Sequence, residues 1–553
     1  MTPGGGGGQR DSSPVLGPRS WSVRCPGGGL PAHRYNRAAC PAGPRPRGRT
    51  ETGTSGMRHY LLFLPGLAAA MASGLSEPFP GAHQARDGAA DVRAHGARGD
   101  GRTDDTAAFR RALDQAQREQ VPIRVPAGRY RITAPLRGFS GFELTGVGPS
   151  SEIICHWEQE RGTQGWERSL FVFEDGQRGI RFRDVKLRYR GTFSVGGSRE
   201  SYAGRIAGVY LPAVHSVRFE NVEIERFNSY GIHQTTADPR RVATDVEVAR
   251  SRLHDCRVAG FRFDYVDGCR MLNSDFYRNG HRDDPGTGYG LAGSSGGRPK
   301  NVLVRGCRAW HNKRVGIDFH VGENITVEGC LAYGSPRNGL GEQNGIYVGE
   351  AFGTIILRNN VLRTFRDRGL PRAYLVRGIH AGYPYQGRLN TERVTIRIEN
   401  NCIQDFDVSG GQQAGYPIVI TNSFADLDCA ITGCQVDARA CTALISFSDQ
   451  PGDPRQNRVE IAHNRLSADR VDYVPVMLGN VLSARLEDNV LDVRAWARQD
   501  LPVFSLGSRA RQGTHVTAQG NRVIAPGPQN RSLFADPSRV SGAANVLNGR
   551  AAD

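Results

Sequence analysis

One phrase recurs down this chain, and it limits the folds open to it more than any other feature. It reads IRFRDVKL, VRFENVEI, VEVARSRL, RMLNSDFY, VLVRGCRA, ITVEGCLA, IILRNNVL, IRIENNCI, CAITGCQV, VEIAHNRL, SARLEDNV and VTAQGNRV. Each copy alternates apolar and polar residues, breaks at a small or polar residue, and resumes with a strand-like pair. Aligning the breaks gives one column: Val185, Val222, Ser251, Asp275, Cys307, Cys330, Asn360, Asn401, Cys434, Asn464, Asn489 and Asn521, in steps of 23 to 41 residues. Period-two alternation is the pattern of a strand with one buried face. A loose repeat of this length, sustained over most of a chain, is the pattern of a solenoid. The chain must return to the same column after every turn, so consecutive strands run parallel. Asn in such a column can hydrogen-bond from rung to rung while holding a tight corner. Cys307 and Cys330 fall on adjacent rungs, within disulfide reach or as two buried thiols. A glycine followed by an apolar residue comes nine residues after the column at Gly231-Ile232, Gly260-Phe261 and Gly316-Ile317, and opens the next strand.

Composition agrees. Glycine supplies 70 of 553 residues and hydrophobic residues only 38%, which suits many turns and short strands better than a helical bundle. The formal charge of +16 is almost all arginine, a side chain suited to bidentate recognition of carboxylates or an effect of codon bias. Beyond that charge nothing points to nucleic acid.

Residues 1–56 are rich in Gly, Pro and Arg, lack an apolar pattern, and are expected to be a disordered extension or the product of a mis-assigned start. From Met57 a short basic start leads into an apolar run ending at Ala70-Met71-Ala72. This reads as a signal peptide over 57–72, cut after Ala72, and implies a secreted or periplasmic protein. A linker is expected over 73–90, an N-terminal cap and first coils over 91–178, the main solenoid over 179–538 and a tail over 539–553. No segment reads as a membrane span. Nine cysteines follow Ala72 without a CxxC pair, which argues against a zinc ribbon.

The stretch ARGDGRTDDTAAFRRAL (97–113) crowds Asp100, Asp104 and Asp105 beside two glycines. The glycines mark a tight turn, Thr103 or Asp104 is placed to cap a helix, and Ala108, Phe109, Ala112, Leu113 and Ala116 share one helical face. With VPAGRYRITAPL (125–136), this stretch resembles the N-terminal signature of the pectate lyase superfamily, in its rhamnogalacturonase/epimerase-like branch. The resemblance implies a single-stranded right-handed parallel β-helix of about twelve coils, its open end plugged by a capping α-helix. It also makes the carboxylate cluster structural.

In the strand after each glycine the apolar residue points inward and the next one outward. The outward set is His233; Arg262 and Asp264; Ala292; Asp318 and His320; Tyr347 with Glu350 at the strand end; and His380 with Tyr383 and Tyr385 beyond. In later rungs the same position falls on Val419, Ile445 and Met477. Ionisable groups thus collect on one face between residues 231 and 385. Such a stripe can give an acidic polysaccharide charge pairing, proton transfer and stacking platforms.

Two chemistries fit. Removal of the proton beside a uronate carboxylate, leading to β-elimination or C5 epimerisation, needs a base (His320 or Tyr347) and a cation such as Arg262. Calcium held by Asp264, Asp318 or Glu350 is an alternative to that arginine. Inverting hydrolysis would use Asp264 and Asp318, two rungs apart. Catalytic roles are thus expected for Asp264, Asp318, His320 and Tyr347. Substrate contacts are expected from His233, Arg262, Glu350, His380, Tyr383 and Tyr385. No metal set is fixed by spacing, and no cofactor or oligomeric state is implied. The segment HRDDPGTG (281–288) reads as a loop at the wall of the groove. A solenoid that only binds polysaccharide, as an adhesin does, is the remaining alternative; a phage tailspike fits a signal peptide less well.

Overall fold

The computed structural model describes residues 88–552, apart from 158–165, 192–205, 282–286, 294–295, 335–342, 367–375, 383–389, 411–413, 449–456, 507–514, 527–532, 535–536 and the single positions 422, 480, 499 and 549. The expected leader and extension, and most of 281–288, lie outside these residues.

Each coil has three strands. In a representative coil a long strand, Val266–Leu272, turns sharply into a short strand, Asp275–Tyr277, and a wider corner leads to a third, Tyr289–Gly293. Every strand pairs in parallel with its counterparts in the coils before and after, and the stacks run nearly the length of the described chain. In two coils the third strand runs on into the next long strand, as Val315–Glu328 and Gln343–Arg358. The last pair, Asn545–Leu547 with Arg550–Ala552, is antiparallel and ends the stack. One continuous apolar core of inward Ile, Val, Leu and Phe fills the coil.

The tight corner explains the repeated phrase. A residue in the left-handed conformation precedes the column in almost every coil: Asn221, Arg250, Asn273, Gly306, Gly329, Asn359, Asn400, Gly433, His463, Asp488 and Gly520, with φ between 49° and 65°. That conformation favours Gly, Asn and Asp. It also corrects the alignment in one coil. Asn273 is the left-handed residue there, so Ser274 occupies the column, and Asp275 begins the short strand paired with Arg308. Ser274 Oγ accordingly accepts from Ser251 N at 3.1 Å. At the C-terminal end the column becomes a ladder: Asn464 Nδ2 donates to Asn489 Oδ1 at 3.0 Å, Asn489 to Asn521 at 2.9 Å and Asn521 to Asn545 at 2.9 Å. Cys307 and Cys330 are buried thiols whose Sγ atoms lie 3.3 Å from Met271 O and 3.5 Å from Val304 O. All nine described cysteines are free.

The glycine that opens the third strand is required by close stacking. A Cβ on Gly290 would lie 2.4 Å from Gly316 O, and one on Gly316 would lie 2.9 Å from Gly345 O.

The helix spans Thr106–Glu119 and buries Ala108, Phe109, Ala112, Leu113 and Ala116, as the periodicity predicts. Its N-cap is Asp105, one or two residues later than expected. The three carboxylates serve the turn before it. Asp105 accepts from the backbone N–H groups of Arg98 and Gly99, Asp104 from Thr106 and Thr133, and Asp100 from Arg102 and Thr103. Those bonds to Thr103 and Arg102 hold the Asp100 carboxyl at about 2. No helix among the described residues is long and apolar enough to cross a membrane.

Replacing Asn489 by Ala removes donors to both Ile461 O (2.7 Å) and Asn521 Oδ1, and the acceptor for Asn464. The expected cost is about 1–3 kcal/mol in denaturant unfolding. An unchanged midpoint would show that the ladder does not hold the corners.

Candidate functional site

The third strands place one outward residue per coil in a straight stripe. Register runs Tyr210, His233, Arg262, Ala292, Asp318, Tyr347, His380, Val419, Ser446 and Met477. Ser446, rather than Ile445, is the outward residue of its coil; Ile445 pairs with Ile418 and is fully buried in the core. Tyr383 and Tyr385 lie outside the described residues.

The residue before each glycine also turns onto this face, because the chain bends there. Tyr230, Ala259, Tyr289 and Val315 join Ala292 and Trp166 in an apolar cluster separate from the core, with Tyr210 and Tyr347 packed against it. Alternation alone assigns these residues inward, so Tyr230 and Tyr289 were missed from sequence. Trp166 was missed because it reaches the stripe from a corner.

Asp318 and His320 form the tightest unit. Asp318 Oδ2 lies 2.5 Å from His320 Nδ1, with the Asp318 side chain 1% exposed and the His320 side chain 26% exposed. Asp318 Oδ1 is buried without a hydrogen-bond partner among the described residues, so the carboxylate acts on the imidazole alone. A carboxylate at Nδ1 fixes the proton there and leaves Nε2 as the basic nitrogen. Tyr289 and Tyr347 flank the imidazole edge to face, at 5.7 and 5.9 Å between centroids. Arg314 donates to the Tyr289 hydroxyl.

Two coils earlier is a second polar unit. Arg262 Nε donates to Asp264 Oδ1 at 2.9 Å, and its Nη1 donates to the Tyr230 hydroxyl at 2.9 Å. His233 Nε2 lies 3.9 Å from Asp264 Oδ2. Burial pushes the Asp264 carboxyl up, but the Arg262 charge, with nearby His233 and Thr235, outweighs it and holds the group well below the usual carboxylate range. His233 is only 3% exposed, beneath Trp166. Between the two units the stripe carries only Ala292. Arg262 and Asp318 are two rungs apart, roughly 10 Å along the stack, and Ala292 is the low floor between them.

His380 is fully buried; its Nε2 lies 2.8 Å from Thr421 Oγ1, and its ring centroid is 5.0 Å from that of Tyr347. Burial, helped by the Arg377 charge, drives its pKa well below the ordinary imidazole value. Glu350 is half-buried and lies within the continuous strand Gln343–Arg358 rather than at a strand end, paired in register with Val321.

Asp264, Asp318 and Glu350 do not come together as a metal set. Among the described residues the one close grouping of three such ligands is Glu223, Glu225 and His254, on the short strands and off this face. Lys186 Nζ already bonds that grouping, at 2.6 Å to Glu223 and 3.0 Å to Glu225. An ammonium between the carboxylates stands where a cation would bind.

Parallel coils, a left-handed corner, an asparagine ladder at the C-terminal end, a helical cap and a polar stripe on the third strands define a parallel β-helical solenoid. Residues 191–362 match the family model for a right handed beta helix region. Alginate lyase 7 of Azotobacter vinelandii is 24% identical over 201 residues, covering 34% of this chain and 22% of that protein. Mannuronan C5-epimerase AlgE4 of the same organism is 28% identical over 205 residues, covering 34% of each chain. The A-module of mannuronan C-5 epimerase AlgE6, also from Azotobacter vinelandii, aligns over 79% of this chain and all of that one, with a TM-score of 0.44 and 16% identity. The match to this chain spans a third or less of the length of these two curated relatives. The described residues form a parallel β-helix, and the family match over 191–362 is to a right handed beta helix region.

The buried neutral His380 has a consequence for pH. Its folded value lies below its unfolded one, so the unfolded chain takes up a proton first as pH falls below about 6.5. Stability is therefore lost on acidification from that point. Thermal melts at pH 7 and pH 5 should show a larger drop for the wild type than for His380→Gln. Equal drops would mean that His380 titrates normally.

Proposed function

We propose that the protein acts on a uronate-containing polysaccharide by abstracting the proton beside the sugar carboxylate, ending in β-elimination or C5 epimerisation. The observation that carries this reading is the Asp318–His320 pair on the open face. The pair presents a basic Nε2, oriented by a buried carboxylate, over the recess above Ala292. A uronate ring in that recess puts its ring proton toward His320 and has Tyr347, in register with Asp318, as a second proton-transfer group. Arg262 and Arg314, on either side, supply positive charge for carboxylates of the bound chain. Stabilising the carbanion-like state demands such charge close to the carboxylate. The polysaccharide-active relatives, an alginate lyase and several mannuronan epimerases, support the substrate class.

Inverting hydrolysis through Asp264 and Asp318 fits less well. Arg262 keeps Asp264 ionised and so restricts it to the base of an inverting pair. Asp318 would have to be the acid, and its Oδ2 is bonded to His320 instead. Export through the leader at 57–72 belongs to the same proposal and rests on the sequence alone.

The test is a panel of polymannuronate, pectate and glycosaminoglycans in heavy water, using the protein from Ser73 onward. For one of them, deuterium uptake at the carbon beside the carboxylate is expected if the product is the C5 epimer, and an ultraviolet-absorbing unsaturated product with no deuterium at that carbon if the reaction is β-elimination. His320→Ala should lower that rate about 10²–10⁴-fold with an unchanged melting temperature. Reducing ends formed with neither deuterium uptake nor ultraviolet absorbance would favour the hydrolase. His320→Ala at full activity would remove the proposed base.

A further inference from the structure

The stripe is not uniformly open, and the residue that closes it belongs to neither polar unit. Trp166 precedes the third strand Phe171–Val172 by a few residues and reaches forward over the next two coils. Its ring lies nearly parallel to Tyr210, at 6.1 Å and 16°, and meets His233 at 3.9 Å and Tyr230 at 5.6 Å between centroids. It also packs with Ala207, Val258 and Ala259. At 9% exposure neither face of the indole is available as a sugar platform. The first accessible polar residue along the stripe in the C-terminal direction is Arg262, whose side chain is 27% exposed. The indole therefore stands across the stripe as a wall, one rung before Arg262.

We propose that Trp166 is a specificity-determining residue that ends the groove, so that an acidic polysaccharide enters with a chain end against the indole rather than lying across the site. This rests on the reading of the site given above. From the wall to Asp318 the stripe advances three rungs, roughly 14 Å at the inter-strand spacing. That leaves room for only a short run of sugar rings between the chain end and His320. Arg262 follows the wall directly and meets the carboxylate of the first of them. An interior stretch of a long polymer has no path past the tryptophan.

The experiment counts protein copies per polysaccharide chain by light scattering. It uses full-length His320→Ala to suppress turnover, with polymannuronate and polygalacturonate each prepared short and long. A groove closed by Trp166 loads one copy per chain at either length. Adding Trp166→Gly should raise loading on the long chains several-fold and leave the short ones unchanged, whereas Trp166→Phe should keep the wild-type count. Many copies per long chain with Trp166 in place would overturn the inference while leaving the uronate reading intact. Failure to bind any polyuronate would refute that reading and this inference with it. The comparison of lengths with Trp166 in place decides even if the Trp166→Gly protein does not fold.

Discussion

Everything on the working face depends on a corner on another side of the coil. One left-handed residue, followed by a small or amide side chain, turns the long strand into the short one in coil after coil. The side chain at that column bonds to the next coil, as Asn489 does to Asn521 and Asn464 to Asn489. A slip of one residue in a strand would send every side chain to the opposite face. In the coils of the stripe the column is Ser251, Ser274, Cys307 and Cys330, where Ser251 N donates to Ser274 Oγ and Cys330 N to Asn360 Oδ1. Corners set in this way oppose that slip and keep Arg262, Ala292, Asp318 and Tyr347 in one line. The alignment of the stripe is thus a by-product of backbone register.

The outward stripe was readable from sequence because two simple rules meet there. Side chains alternate along a strand, and a glycine marks where the strand begins. That is enough to find Arg262, Asp318, His320 and Tyr347. It fails for Tyr230 and Tyr289, because the bend at the glycine puts the preceding residue on the same face as the residue two positions beyond. Trp166 carries no local mark, since its role comes from crossing two coils in space. Asp275 was misplaced for a different reason. In RMLNSDFY, Asn, Ser and Asp all suit a corner, and only the positive φ of Asn273 shows which of them turns the chain.

The two polar units differ in what they can do. Asp264 sits among Arg262, His233 and Gln234, with its charge matched and its backbone N–H bonded to Gln234. It is a built anchor for Arg262. Among the described residues Asp318 has a single side-chain partner, the His320 imidazole, which is 26% exposed. A buried carboxylate committed to one exposed imidazole is costly to maintain without a role for the imidazole. Ala292 gains meaning from its position. A larger residue there would fill the only low point between the arginine and the histidine.

The repeat length is irregular, yet the irregularity is not spread evenly. The corner between long and short strands is always the same two-residue device. The path from column to glycine, by contrast, ranges from nine residues, Val222 to Gly231, to twenty-three, Val185 to Gly208. Variation in coil length therefore falls between the column and the glycine and not at the corner. A chain built this way can take a longer rim beside the stripe while its scaffold stays untouched.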